Sequence, residues 1–424
     1  MSISDELLTF IKKSPSTFHA VKASEELLNK AGFEQLFWGK SWKLKAGGRY
    51  YCSIFDSALV AFTTGKKTRG LKIAMAHTDF PGFRVKPAAG IVREGYGILN
   101  IEPYGGLIEQ SWLDRPLSLA GKIVLRGKDP FHPVVRLVDF ARPIMTIPHL
   151  AIHMDRQVND GVKLNRQNEL APVMALFERE FKGKDFFEKS IAKEFKIKEK
   201  DLLSYELTIY PYEDGCYIGQ ADEFISSSRL DNLTSVKACV DAITSAEQKN
   251  GINIISLFDN EEVGSRTKQG AGSAMLLQLL ERIYHSFGMS DEDLRNDIAE
   301  GFMLSADVAH GLHPNYIGKA DPTNRPVLNG GVVLKQAANQ AYAGDAEAIA
   351  IVKSICQVNG ILCQSFVNRS DMPGGSTLGS IASAFISMRA MDIGVPILAM
   401  HSARELMGAN DQAAITGLIK AFFE

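Results

Sequence analysis

The sequence predicts an α/β fold: a mixed sheet sandwiched between helices, with an inserted β-rich second domain. Three observations carry this. Apolar runs of strand length alternate with segments of helical apolar spacing near both ends of the chain. Between about Lys86 and Gln220 the alternation gives way to short β-like runs broken by Gly and Pro. The length, 424 residues, exceeds what one core normally serves, so two domains are expected. The boundaries fall at 1–85 with 221–424 for the α/β part, and 86–220 for the insert.

In order, HAVKASEELLNKAGF (19–33) has helical apolar spacing and stops at a glycine. RYYCSIFDSALVAFTT (49–64) and LKIAMAH (71–77) are rich in β-branched and aromatic residues and predict strands. Within the insert, AAGIVREGYGILNIEPYGG and LSLAGKIVLRG predict short strands, and EREFKGKDFFEKSIAKEF (178–195) a polar helix. Then follow a helix at 230–248, a strand at 252–259, a helix at 272–287 and a strand at 301–307. A helix at 345–358, a strand at 361–366, a helix at 377–390, a strand at 396–400 and a final helix near 409–422 complete the order. Such alternation implies a layered sheet.

With 47 basic and 49 acidic residues the formal charge is −2, so the global balance advertises neither nucleic acid nor an anionic membrane as partner. The five cysteines are scattered, odd in number and free of CxxC spacing, which argues against a thiolate zinc site and fits a reducing compartment. The N-terminus lacks a basic segment leading into an apolar one, and no stretch reaches about 18 uninterrupted apolar residues. A cytoplasmic location is expected. Neither GxGxxG nor GxxxxGK[ST] occurs, which counts against a nucleotide-binding module.

The chemistry concentrates at the ends of apolar strands, where open α/β sheets place ligands. LFDNEEVGS (257–265) closes a strand with Asp259, Glu261 and Glu262. In extended chain neighbouring side chains face opposite ways, so Glu261 can face a substrate as a base while Glu262 turns to a cation; the bland alternative is a solvated acidic loop. Four more clusters sit at strand ends: His77 with Asp79, Asp231, Asp307 with His310 and His313, and His401. A lone histidine after a strand is usually structural, but five such clusters together suit zinc, cobalt or manganese. Two histidines with three carboxylates can hold two ions sharing one carboxylate.

The set AHTDFPGFRVKP, SRLDNL, DNEEVGS, SADVAHGLHPNY, GGSTLGSI and AMHSARE resembles the M18 family of metallo-aminopeptidases, the aspartyl aminopeptidases, over nearly the whole chain. The resemblance implies a zinc-peptidase-like catalytic domain and two divalent ions per subunit, zinc foremost, with cobalt and manganese as alternatives. It makes Asp231 the bridging ligand, His77 and Asp307 ligands of one ion, and Glu262 and His401 ligands of the other. Glu261 becomes the general base, and Asp79 the acid orienting the His77 imidazole, where its bland role is a turn cap. His310 and His313 then organise the Asp307 loop.

Lys335 in GGVVLKQAANQAYA lines up with a family lysine that holds an acidic substrate side chain, although Ala341 stands where many members carry arginine. A solvated lysine at a strand end is the alternative. His153 in IPHLAIHMDR matches a histidine that reaches a neighbouring subunit's active site; otherwise it packs within the insert. Gly374, Gly375 and Ser376 offer backbone amides to a substrate carbonyl or carboxyl group, or Ser376 is a plain helix cap. The implied substrates are peptides with a free N-terminus, and the implied assembly a homo-dodecamer of dimers built through the insert as an oligomerisation, or lid, domain. Removal of neutral residues, or deacylation of N-acyl amino acids, is the alternative activity.

Overall fold

Side-chain alternation along the strands produces a sheet with two buried faces. In the strand Asn250–Phe258, Ile255 and Leu257 point into one apolar cluster, and Ile252, Ile254 and Phe258 into another. Ala74 and Ala76 of the strand Lys67–His77 join the first cluster, Ile73 and Met75 the second. A period of two with both faces apolar requires helices on both sides.

The computed structural model describes residues 2–161, 163–178, 183 and 185–424. They divide into two compact units, one comprising Pro81–Asp214 with His401–Arg404, the other the rest. In the larger unit nine strands form a mixed sheet in the order Glu34–Phe37, Arg49–Ile54, Ala58–Thr64, Asn250–Phe258, Lys67–His77, Phe302–Ala306, Arg389–Gly394, Val332–Gln336 and Cys363–Val367. The four from Asn250–Phe258 to Arg389–Gly394 run parallel to one another. Phe258 stands in register with His77, so the polar segments after these strands emerge along one edge.

One face carries the helices Ile3–Lys12, Thr17–Lys30, Leu230–Ser245 and Asp411–Phe423, the other Met275–Ser286 and Leu378–Phe385. Leu230–Ser245 is buried almost all round, with Leu233, Val236, Val240 and Ile243 at 0–1% exposure. Its few charged groups survive by pairing: buried Lys237 meets Asp241 at 2.5 Å.

The smaller unit is built on an antiparallel six-stranded sheet in the order Val134–Asp139, Leu117–Leu125, Leu202–Pro211, Gly82–Arg93, Tyr96–Tyr104 and Val173–Leu176. Phe83, Leu119, Ile123, Phe187 and Ile209 fill its core, and Phe83 meets Trp112 edge to face at 5.2 Å.

Several elements differ from the expected ones. The run 49–64 is two strands, because Phe55 and Asp56 adopt positive φ and turn the chain back into an antiparallel pair. The helix expected over 377–390 ends at Phe385, and Arg389–Gly394 is a central strand. Asp392 in the middle of that strand disguised it: the carboxylate is fully buried and accepts hydrogen bonds from Ala343 N and the Thr377 hydroxyl. Of the polar helix expected over 178–195, Phe186–Glu194 is helical, while positions 179–182 and 184 lie outside the described residues. Asp291–Glu300, too polar to show a clear apolar stripe, is also a helix, opened by a reciprocal Ser290 and Asp293 cap.

Candidate metal centre

Three buried side chains converge at the carboxyl edge of the parallel strands. His77 is the last residue of its strand, Asp307 follows Ala306 directly, and Asp231 lies in the first turn of the helix that begins at Leu230. The His77 Nδ1–H donates to the carbonyl of Asp79 at 3.0 Å, which fixes the ring and directs Nε2 toward Asp231 Oδ1 and Asp307 Oδ1, each 3.5 Å away. The three donor atoms lie within 4.8 Å of one another. A second triad, His77 with Glu261 and Glu262, meets the same limit.

Local backbone holds the acids in place. Glu261 and Glu262 open a single 3₁₀ turn, Glu261–Val263, rather than the extended chain expected; successive residues there are about 120° apart, so the two carboxylates still diverge. Asn260 before them and Gly264 after them adopt left-handed backbone, as does Arg229 ahead of Asp231. Non-glycine residues pay for that conformation, and such outliers cluster where structure is over-determined for function. The Asp231–Asn232 peptide is cis.

The Asp79 carboxylate reaches the acidic turn. Its Oδ1 and Oδ2 accept the backbone N–H groups of Glu261 and Glu262, at 3.1 Å each, so one buried carboxylate ties the His77 segment to the acidic turn. Its Oδ1 lies 3.4 Å from His77 Nδ1, farther than its own carbonyl. Asp259 is structural: buried beneath the turn, it accepts hydrogen bonds from Thr17 and from the N–H of Asn260.

Electrostatics match a cation site. Burial, reinforced by the Asp307, Asp79 and Asp231 carboxylates and opposed by His77, pushes Glu261 up to about 8. Burial also disfavours the Asp307 charge, but Lys335 and His77 outweigh it and hold that carboxyl well below the ordinary range. Four carboxylates around one imidazole repel one another, and divalent cations are what such a donor set accepts. The residues fit metal.

Lys335 is not solvated. It is 2% exposed, with Nζ donating to Val308 O at 2.9 Å and to Asp307 Oδ2 at 3.2 Å, and it lies 5.3 Å from the Tyr342 ring centre. Burial opposes its charge, but Asp307 and Asp392 raise its pKa. Gly374, Gly375 and Ser376 are exposed in the loop before Leu378–Phe385; the residue in the cap position is Thr377, not Ser376, and its hydroxyl turns inward to Asp392. His310 packs its ring near Phe366, and His313 Nδ1 accepts the N–H of Asn315, both ordering the loop after Asp307.

In the smaller unit, the His401 Nδ1 meets the carbonyl of Gly106 at 2.6 Å, and its own carbonyl accepts the Ile108 N–H. His153 is exposed rather than packed inside the unit, in a run where Leu150, Ile152 and Met154 are exposed too. Sequence reasoning missed Asp392, and it offered a turn cap for Asp79 without showing that the capped turn is the distant one at Glu261. Neither carries a spacing signal, since both act through contacts distant in sequence.

An α/β sheet with imidazole and carboxylates gathered at its carboxyl edge defines a metallohydrolase type of centre. The family model for aminopeptidase I zinc metalloprotease (M18) matches residues 10–423. A probable M18 family aminopeptidase 2 of Clostridium novyi (strain NT) is 44% identical over 427 residues, covering 100% of this chain and 99% of the relative. The cryo-EM structure of the Ape4 and Nbr1 complex contains a chain with TM-score 0.94 and 32% identity, over 99% of this chain and 85% of that one. The structure of the S. cerevisiae mApe1 dodecamer matches with TM-score 0.85 and 26% identity, over 100% of this chain and 96% of that one. The chain belongs to the M18 family of zinc aminopeptidases and is a metallo-aminopeptidase.

Proposed function

We propose that this aminopeptidase uses two divalent ions, most suitably zinc, to remove N-terminal residues from peptides, with acidic residues preferred. The convergence of His77, Asp231 and Asp307 beside Glu261 and Glu262 carries the reading. Asp231 would serve as the shared ligand, His77 and Asp307 would hold one ion, and Glu262 and His401 the other. With Nδ1 of His401 committed to Gly106, its other ring nitrogen would be the metal donor. The bound ions supply Lewis acidity for the scissile carbonyl and lower the pKa of a water.

Glu261, desolvated and raised in pKa, accepts the water proton at its carboxylate and returns it to the leaving amine. Asp79 holds the Glu261 turn and the His77 ring in one frame, a positioning role. Lys335 directs an ammonium hydrogen toward an acidic substrate side chain, two donors being already spent on Asp307 and Val308. That prior commitment, together with Ala341, favours removal of neutral residues as the second reading. The amides of Gly374, Gly375 and Ser376 receive a substrate carbonyl or carboxyl group.

The insert, drawn by sequence at 86–220 with the catalytic part at 1–85 and 221–424, serves oligomerisation. The exposed apolar run around His153 suits a subunit contact that carries this histidine to a neighbour's site, in a dodecamer of dimers. All five cysteines are free thiols, which supports a cytoplasmic location. Among the described residues, no helix is long and apolar enough to cross a membrane.

Hydrolysis of Asp-, Glu-, Leu- and Ala-p-nitroanilide by metal-stripped protein, restored with zinc, cobalt or manganese, tests the reading. Metal-dependent turnover led by Asp and Glu supports it throughout. A Leu preference overturns the acidic pocket alone, and turnover of N-acyl amino acids, assayed alongside, without turnover of any anilide replaces the reading with a deacylase.

A further inference from the structure

Beyond Lys335, the larger unit carries a recess of about 760 Å³, open mouth included, between the loop after Asp307 and the segment leading to Gly374. Its polar wall is cationic: Lys319, Arg325 and Arg369, with Asn324, Asn368 and His313 between them. Phe366 and Tyr316 give it apolar surface. Among the described residues, neither Lys319 nor Arg325 forms a salt bridge, whereas Arg369 is paired with Asp371 at 2.7 Å. The acid in the wall, Asp321, turns its Oδ1 to Thr323 and Asn324 of its own loop. Among the described residues, Lys319 and Arg325 thus line the recess without an ion pair, the Arg325 Nε–H donating to the Asp321 carbonyl at 2.8 Å.

The recess is tied to the catalytic edge at both ends. His310 in its wall follows Asp307 by three residues, at most about 11 Å of chain. Pro373 in its wall directly precedes Gly374, and Phe366 stands in register with Lys335 on the neighbouring strand. In the proposed binding mode, with the first residue's side chain at Lys335, the residues past the scissile bond would lie within reach of this recess. Each further residue advances about 3.3 Å, so two or three residues span roughly the chain length that links Asp307 to the recess wall.

We propose that the recess binds the C-terminal carboxylate of a short peptide substrate, with Lys319 and Arg325 as its cationic partners. This rests on the aminopeptidase reading, and it makes the enzyme a processor of tripeptides and similarly short chains. Charge-assisted hydrogen bonds to an ionised carboxylate are the strong class, and losing them typically costs about ten- to a hundredfold.

The test compares kcat/KM for X-Ala-Ala with a free C-terminal carboxylate against the same peptide as its C-terminal amide, X being the residue best cleaved from the anilides. The acid should be favoured about ten- to a hundredfold, chiefly through KM. The ratio should fall toward unity in Lys319→Ala/Arg325→Ala and recover partly in Lys319→Arg/Arg325→Lys. Both positions are exposed, so the fold tolerates the changes. A ratio near unity in the wild type, or one unaffected by the double variant, overturns the proposal. So does a double variant that alters Asp- against Leu-p-nitroanilide instead, because the recess then takes the N-terminal side chain. If no peptide or anilide is cleaved with any metal, the activity reading fails separately. The recess is then judged by calorimetric titration of trialanine and trialanine amide into the protein, where equal affinities overturn it.

Discussion

Replacing Asp79 by Asn exposes how much of the site depends on one buried carboxylate. In the wild type its two oxygens accept the N–H groups of Glu261 and Glu262 at 3.1 Å, and its carbonyl holds His77 Nδ1 at 3.0 Å. Asparagine keeps the carbonyl and one side-chain oxygen. Its amide nitrogen then confronts one of the two backbone donors, and at 1% exposure no bulk water relieves the clash. One charge-assisted bond is lost, one is reduced to a neutral bond and one N–H is orphaned, together about 2–4 kcal/mol. Much of that appears as displacement of the Glu261–Glu262 turn, so zinc affinity should fall about 10–100-fold, the usual scale for losing a ligand's supporting partner. Competition with a zinc chelator measures the affinity, circular dichroism checks the fold, and kcat/KM should fall in step at saturating zinc. Zinc affinity and turnover both within about threefold of wild type would refute the idea that Asp79 positions the acids.

Glu261→Gln should keep fold and metal content while kcat falls about 10²–10⁴-fold, and near wild-type turnover would remove Glu261 from proton transfer. Lys335→Met should raise KM for Asp-p-nitroanilide more than for Leu-p-nitroanilide; because Nζ also supports Asp307, zinc affinity should weaken as well. Equal KM effects on the two anilides would deny the lysine a specificity role. Asp411 is buried, and burial pushes its carboxyl up to about 6 against the N–H groups of Asn329, Gly331 and Gly408. A raised acid stabilises the fold fully below its unfolded pKa of 3.8, and that contribution is lost as pH rises through about 6. The roughly two-unit shift corresponds to about 3 kcal/mol. The melting temperature of Asp411→Asn relative to wild type should therefore rise as pH increases from 4 to 7, on top of a constant cost of setting an amide against these N–H groups; parallel melting profiles would refute the assignment.

The sequence by itself determined the α/β class, the strand ends that carry polar residues, and the family. These are local properties: apolar period, turn residues, and short motifs in which chemistry sits a few residues from a strand. His77, Glu261, Glu262 and Asp307 stood out as candidates because each lies at or just past an apolar run, while the assignment of Asp231 and the roles of all five came from the resemblance. What tertiary structure alone decided depends on partners far apart in the chain. The fate of Lys335 is set by Asp307, 28 residues earlier. Asp79 reaches across 182 residues to Glu261, and Asp392 becomes a buried anchor only because Thr377 and Ala343 fold against it. A carboxylate in a strand or a lysine at its end looks solvated in sequence, since composition records charge but not burial. The enclosing sheet and helices convert that charge into a fixed, desolvated contact.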